Sequence, residues 1–354
     1  MSEPSGISVN ELQLAARNHG MPLEALRYDV TPPGLHYLVI HYDIPDVDPG
    51  TWRLVVDGDV RNPLSLSLDD LRALPRVSLA VTLECAGNGR ALLEPHVESQ
   101  PWLLEGVGNA EWTGTPLRAV LVEAGLVDEV VELVFTGLDH GLDHEVEQDY
   151  QRSLPLGEAM REDVLLAYEM NGAPLLPQHG FPLRLVVPGW YGMTSVKWLA
   201  NVTAVTEPFE GFQMTSSYRI WDEGDEGPGV PVTRILPRSL MVPPGFPDFF
   251  TRRRVVERGE VDLAGRAWSG MGPIERVEVS VDGGATWLDA RLGPLPDSPY
   301  GWRSWTLLWR AEPGERVLAC RATDATGAIQ PDRAEWNRGG FQNNAVQRVP
   351  VIVR

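Results

Sequence analysis

Cysteine is nearly absent from this 354-residue chain; Cys85 and Cys320 are the only two, and they stand far apart. Such a pair is neither a disulfide framework nor a zinc-ligand spacing, so each thiol has to be judged by its neighbours. Long apolar runs are lacking as well. No stretch approaches the roughly 18 to 20 residues that a membrane-spanning helix requires. Basic residues are scarce, 30 Lys+Arg against 49 Asp+Glu, for a net charge of −19. A surface of that sign argues against nucleic acid and anionic membrane as partners. The opening residues show no basic segment leading into an apolar one and no twin arginine, so a cytoplasmic location is the expectation. What is present is 43% hydrophobic residues, enough for real cores, and a length suited to two domains.

Residues 8–26 offer cap candidates at Ser8 and Asn10, then apolar residues at helical spacing, which predicts a short amphipathic helix. Strand-like runs follow at 35–45, 51–60 and 78–85, helices near 116–124 and 154–160, and further strands at 131–137, 163–172, 182–190 and 195–205. A stretch rich in proline, glycine and acid over 221–250 reads as a linker. Beyond it, short strands recur at regular spacing, with a turn at Asp282-Gly283-Gly284. About seven strands in roughly 100 residues is the pattern of an immunoglobulin-like sandwich. The expected fold class is α+β. A helical segment (1–27) precedes a mixed α/β domain (28–220), and the linker leads to an all-β sandwich (251–354).

The residues that carry chemistry gather around Cys85, which closes an apolar strand and opens the loop Ala86-Gly87-Asn88-Gly89-Arg90. A thiol at that junction faces a cavity from a rigid base, and Arg90 brings a positive charge toward the sulfur. Three readings stand. The cysteine is a buried structural residue, a nucleophile served by His41, His96 or His179, or a metal thiolate whose remaining ligands come from elsewhere. Cys320 sits inside a sandwich strand and is assigned to its core.

Five segments taken in order resemble the sulfite oxidase family of molybdopterin-dependent oxidoreductases: CAGNGR (85–90), VGNAEWTGTPL (107–117), LAYEMNG (166–172), QHGFPLRLVVPGWYGMTSVKWL (178–199) and EGFQMTSSYR (210–219). The resemblance runs from about Tyr37 to the C-terminus. It implies a molybdopterin-binding domain followed by an Ig-like dimerisation domain, a molybdenum–molybdopterin cofactor, and Cys85 as the sole protein ligand to the metal. It carries the cofactor contacts onto Tyr37, His41, Asp139, His179, Arg184, Ser195, Val196 and Lys197, and places Tyr218 and Arg90 with Cys85 at the reacting centre. His179, Arg184 and Lys197 together suit a terminal phosphate, because charge-assisted bonds to phosphate are strong. Asn88 and Asn109 are expected to set loop geometry.

By the same resemblance the reaction is oxygen-atom transfer on a small oxyanion or oxo-compound. No haem or flavin pattern is visible, so electrons are expected to pass to a separate acceptor such as a cytochrome, and the chain is expected to be a homodimer. Two positions depart from the sulfite-oxidising pattern. Arginines expected near the substrate fall on Val39 and Gly339, with Arg338 one place away. A less charged substrate, or nitrate or sulfoxide reduction, therefore stands beside sulfite. A cysteine-nucleophile hydrolase and a non-catalytic binding protein are the readings from other classes.

Overall fold

The computed structural model describes residues 6–221, 224 and 226–354. Among the described residues, two five-stranded sheets build the N-terminal part. One runs Leu64–Leu66, Leu54–Gly58, Leu199–Val205, Glu132–Asp143, Val146–Pro155. The other joins Val77–Glu84, Val107–Pro116, Leu165–Met170 and Ala173–Pro174, and Arg184–Val186 pairs with Leu165–Met170. Helix Leu117–Ala124 packs its Leu117, Val120 and Leu121 into the core between them and stops at Gly125, whose φ of 66° a side chain would resist. The few helices are short. Val146–Pro155 runs as strand into what was read as a helix at 154–160, leaving only Leu156–Ala159 helical.

Two sheets of four and six strands face each other in the C-terminal sandwich, over a core that includes Trp305, Leu318 and Val351. Cys320 lies in that core, fully buried, as assigned. Residues 221–250, read as a linker, contribute the strand Arg238–Met241, which pairs with Gly259–Trp268 from Arg238 opposite Trp268. Their proline and glycine content masks four fully buried strand residues.

Two expectations near the N-terminus need correction. The helix occupies only Val9–Arg17, held by a Ser8–Glu11 capping box, and a 3-10 turn at Leu23–Arg27 follows separately. The alternating run 35–45 is not a strand; only Leu38 makes an isolated bridge, to His19. The reason lies in its partners. The amide of Ile40 donates to the Asn18 side chain at 2.7 Å, and a side-chain acceptor there replaces a neighbouring strand. His36, Tyr37, Leu38, Val39 and His41 of the segment line one cavity together with Cys85.

One buried ion pair joins the two parts. Glu84, 1% exposed at the end of Val77–Glu84, meets the Arg238 guanidinium at 2.8 Å and accepts from the Trp268 indole at 2.7 Å and from Asn88 at 2.9 Å. Removing one member of a buried, hydrogen-bonded pair costs about 3–5 kcal/mol, because the survivor keeps its desolvation penalty. Arg238→Met should therefore lower the unfolding free energy by that order, with Arg238→Lys intermediate, in equilibrium urea unfolding followed by circular dichroism.

Candidate active site

From Glu84 the chain turns directly into the loop that carries Cys85. The Cys85 amide donates to Gly106 O at 2.8 Å, and Asn88 and Arg90 fold back onto Cys85 O and Gly87 O at 3.0 Å each. Gly87 must lack a side chain, since a β-carbon there would sit 2.6 Å from the Arg90 guanidinium. The sandwich grips the loop from outside: Gln342 N donates to Ala86 O at 2.8 Å and Asn343 to Gly89 O at 2.7 Å. Asn88 ties Gly106 to Glu84, and Asn109 ties Thr82 to Asp29 O, so both asparagines hold backbone.

Cys85 faces a cavity of about 60 Å³. Tyr37, His41, Asp139, His179, Arg184, Ser195, Lys197 and Tyr218 line it with Cys85, so eight of the nine expected side chains besides the thiol and Arg90 converge there. Val196 is the ninth; its side chain is 1% exposed in the core and its carbonyl accepts from Leu185 N. Arg90 lies next door. It lines a second, larger cavity of about 580 Å³ that shares Val39, His41, Cys85 and Tyr218 with the first. The thiol thus stands at the joint between a small cradle and a larger vestibule.

Positive charge collects in the cradle. Arg184 donates to His179 O and Ser195 O at 3.1 Å each and lies over Trp112. Lys197 donates to Val39 O at 2.7 Å. Burial, then repulsion by Arg184, holds the Lys197 ammonium well below its usual pKa, and burial pushes the Asp139 carboxyl up. Arg184 is lowered to about 10 by burial. The site residues fit an anionic heterocycle, as three buried atoms show: Asp139 Oδ1, His36 Nε2 and Arg184 Nε have no hydrogen-bond partner. Buried polar groups are nearly always paired, so an acceptor and donors left open together point to a polar ligand.

Tyr218 occupies the wall between the cavities with a φ of 50°, a strained backbone for a tyrosine. Its hydroxyl is 2.6 Å from His41 Nε2, and the His41 ring stacks on Tyr150 at 4.6 Å. Burial and the charges of Lys197 and Arg152 lower His41 to about 3, so the ring is neutral near pH 7. Burial raises Tyr218, which keeps the phenol protonated and able to donate.

No histidine activates Cys85. His41 bonds Tyr218, His96 bonds Glu11 at 2.8 Å, and His179 bonds Pro33 O at 3.2 Å. Burial raises the thiol, with Arg90 opposing, which is the reverse of a poised nucleophile. At the two departing positions, Val39 lines both cavities, while Gly339 packs on the Phe341 ring where any β-carbon would collide. Arg338 also lines the vestibule, its guanidinium over Trp221.

Sequence reasoning missed His36, Tyr150 and Arg152. His36 adjoins Tyr37 and packs so closely on Gly108 that only hydrogen fits there. Tyr150 and Arg152 alternate inward along Val146–Pro155, and an arginine on an inward face was the available signal.

Comparison with known proteins agrees with this geometry. Residues 41–213 match the oxidoreductase molybdopterin binding domain, and residues 249–354 the Mo-co oxidoreductase dimerisation domain. The cradle and these two matches define a molybdopterin-binding oxidoreductase. The chain is 37% identical to mitochondrial sulfite oxidase of Mus musculus over 92% of its length, covering 62% of that protein. It is 36% identical to sulfite oxidase of Gallus gallus over 90% of its length, covering 72% of that one. The chain belongs to the sulfite oxidase family. It spans about three fifths of the mammalian relatives it matches. The crystal structure of sulfane dehydrogenase SoxCD from Paracoccus pantotrophus superposes with a TM-score of 0.81 at 28% identity, covering 98% of this chain and 90% of that one.

Buried neutral histidines make the fold acid-sensitive. Burial and neighbouring cations lower His36 to about 3 and His179 to about 4, against 6.5 in the unfolded chain. Between those values only the unfolded chain binds the protons, so their contribution is whole above pH 6.5. It is lost as pH falls, by about 1.4 kcal/mol per pH unit for each ring. Urea unfolding of cofactor-free protein should weaken from pH 7 to pH 5, and His36→Phe should flatten that dependence by about one proton.

Proposed function

We infer that the chain catalyses oxygen-atom transfer between a small substrate and a molybdenum–molybdopterin centre held by Cys85, passing electrons to a separate acceptor such as a cytochrome. The observation that carries the reading is the set of open buried atoms, Asp139 Oδ1, His36 Nε2 and Arg184 Nε, on residues that line the same cavity as Cys85. Asp139 and His36 suit the pterin ring, with Tyr37 and His41 beside it, and His179, Arg184, Ser195 and Lys197 suit its phosphate. When bound, the metal supplies two-electron redox chemistry coupled to oxygen transfer. Cys85 serves as thiolate, a form that metal binding favours and that Arg90 supports.

Around the substrate, Tyr218 orients an oxygen by hydrogen bonding. With His41 in the tautomer that donates from Nε2, the phenol keeps its own proton for the vestibule. Arg90 supplies charge beside it, fixed by its bonds to Gly339 O at 3.0 Å and Gln100 O at 3.3 Å. Donors fixed in advance in a site with little water stabilise developing charge without reorganising. Sulfite is the family-type substrate. The reductive direction is the second reading, supported by 31% identity to nitrate reductase [NADH] 1 of Oryza sativa subsp. japonica. Val39 and Gly339 favour a substrate that needs fewer cations at those two points. The dimerisation-domain match supports a homodimer.

Metal analysis and a screen with an artificial electron acceptor, sulfite and nitrate included, test the reading. Cys85→Ser should leave the fold intact and cut turnover at least a hundredfold; normal turnover would remove the ligand assignment. Val39→Arg should tighten apparent sulfite binding at least tenfold, since a cation about 4 Å from an anion contributes up to about 4 kcal/mol at an effective dielectric near 20.

A further inference from the structure

Arg152 is a charge without an evident purpose in the site so far. It is 2% exposed on the inward face of Val146–Pro155, and among the described residues it forms no ion pair with a carboxylate. One terminal nitrogen donates to Gln213 O, while Nε has no partner. A buried guanidinium without a counter-ion is unfavourable until a negative charge comes near. Its neighbour is Tyr218, whose ring centre lies 5.4 Å from the guanidinium carbon. That ring stacks on Phe341 at 5.3 Å, and Phe341 carries the Arg90 guanidinium at 5.0 Å. Two arginines therefore end one continuous run of aromatic contacts that borders the vestibule.

We propose that Arg152 is a positioning residue for the substrate: packed on the face of Tyr218, it supplies from behind the ring a positive charge that Val39 and Gly339 do not. The site then selects an oxyanion over a neutral oxo-compound. This rests on Tyr218 facing the substrate, as in the proposed function. The other ionisable groups around Tyr218 are Cys85, Tyr37, His41, Tyr150 and Arg90, and Arg219 is a second cation beside Arg152. The carboxylates of Glu98 and Asp143 line only the vestibule, where Ser8 and Gln213 donate to them. Asp139 lines only the cradle, where Lys197 opposes it.

The test is equilibrium binding of sulfate, an unreactive dianion, and of neutral dimethyl sulfoxide to the cofactor-loaded protein, measured by calorimetry. Arg152→Gln should weaken sulfate at least about 6-fold, the effect of one unit charge on a dianion at roughly 8 Å in a dielectric of about 80, and more at lower dielectric. It should leave dimethyl sulfoxide within about twofold. Arg152→Lys, which keeps the charge, should stay within about threefold of wild type for both. Unchanged sulfate affinity in Arg152→Gln, equal loss of both probes, or a wild type that binds no sulfate overturns the proposal. Should Arg152→Gln not fold, the lysine variant decides: retained sulfate affinity supports it and a tenfold loss overturns it. Turnover of Tyr218→Phe bears on the proposed function instead, so the two readings fail separately.

Discussion

Glu84 is the constraint on which the site depends. It is the residue before Cys85, and its carboxylate is shared by Arg238 and Trp268 of the sandwich and Asn88 of the loop that follows. A carboxylate drawn into a protein core is stable only when its partners are held in place, and these come from both domains. The geometry of the thiol is thereby set by the packing of one domain on the other. The loop's outer hydrogen bonds, from Gln342 and Asn343, tighten the same joint. The sandwich thus has a structural part in the site even though only its 338–341 edge reaches the vestibule.

The second constraint is electrostatic and opposite in sign to the chain as a whole. A molecule of net charge −19 concentrates Arg184, Lys197, His179 and His36 in one cradle. Lost hydration shifts all four toward their neutral forms, and repulsion by neighbouring cations adds to it for Lys197 and both histidines. Their placement stores unfavourable energy that an anionic ligand relieves. Ligand affinity and the stability of the cofactor-free chain are coupled through this cluster.

Much of this was legible in the sequence, for identifiable reasons. Cys85 stood out because a glycine-rich loop after an apolar strand is a local signal, and the cradle residues because their segments resemble the sulfite oxidase family. The run 35–45 misled because alternation reports which side chains share a face and says nothing about what the backbone bonds to. There the partner was the side chain of Asn18. Arg238–Met241 hid inside a proline-rich stretch because composition averages over the strand and its flanks. Arg152 hid for a subtler reason. Arginine in a strand usually points outward, and only the burial of Tyr150 and Leu154 on the same face shows that this one does not.

Phe341 explains why the vestibule keeps its charge in an unusual place. Gly339 cannot carry a side chain while Phe341 occupies its present position, and Phe341 is held by contact with both Arg90 and Tyr218. An arginine at 339 and an aromatic ring at 341 are thus alternatives, and this chain has the ring. A flat ring against Tyr218 braces the phenol in its left-handed backbone and makes one wall of the vestibule apolar, which an arginine in its place would not do. The positive charge is retained, but as Arg90 on one ring and Arg152 on the other it is spread along a rigid aromatic edge. A field delivered through fixed rings falls off more gently than a contact ion pair and demands less of the substrate's shape. Under the role proposed for Arg152, selection in this vestibule rests on the sign of the substrate's charge more than on close contact with a single small oxyanion.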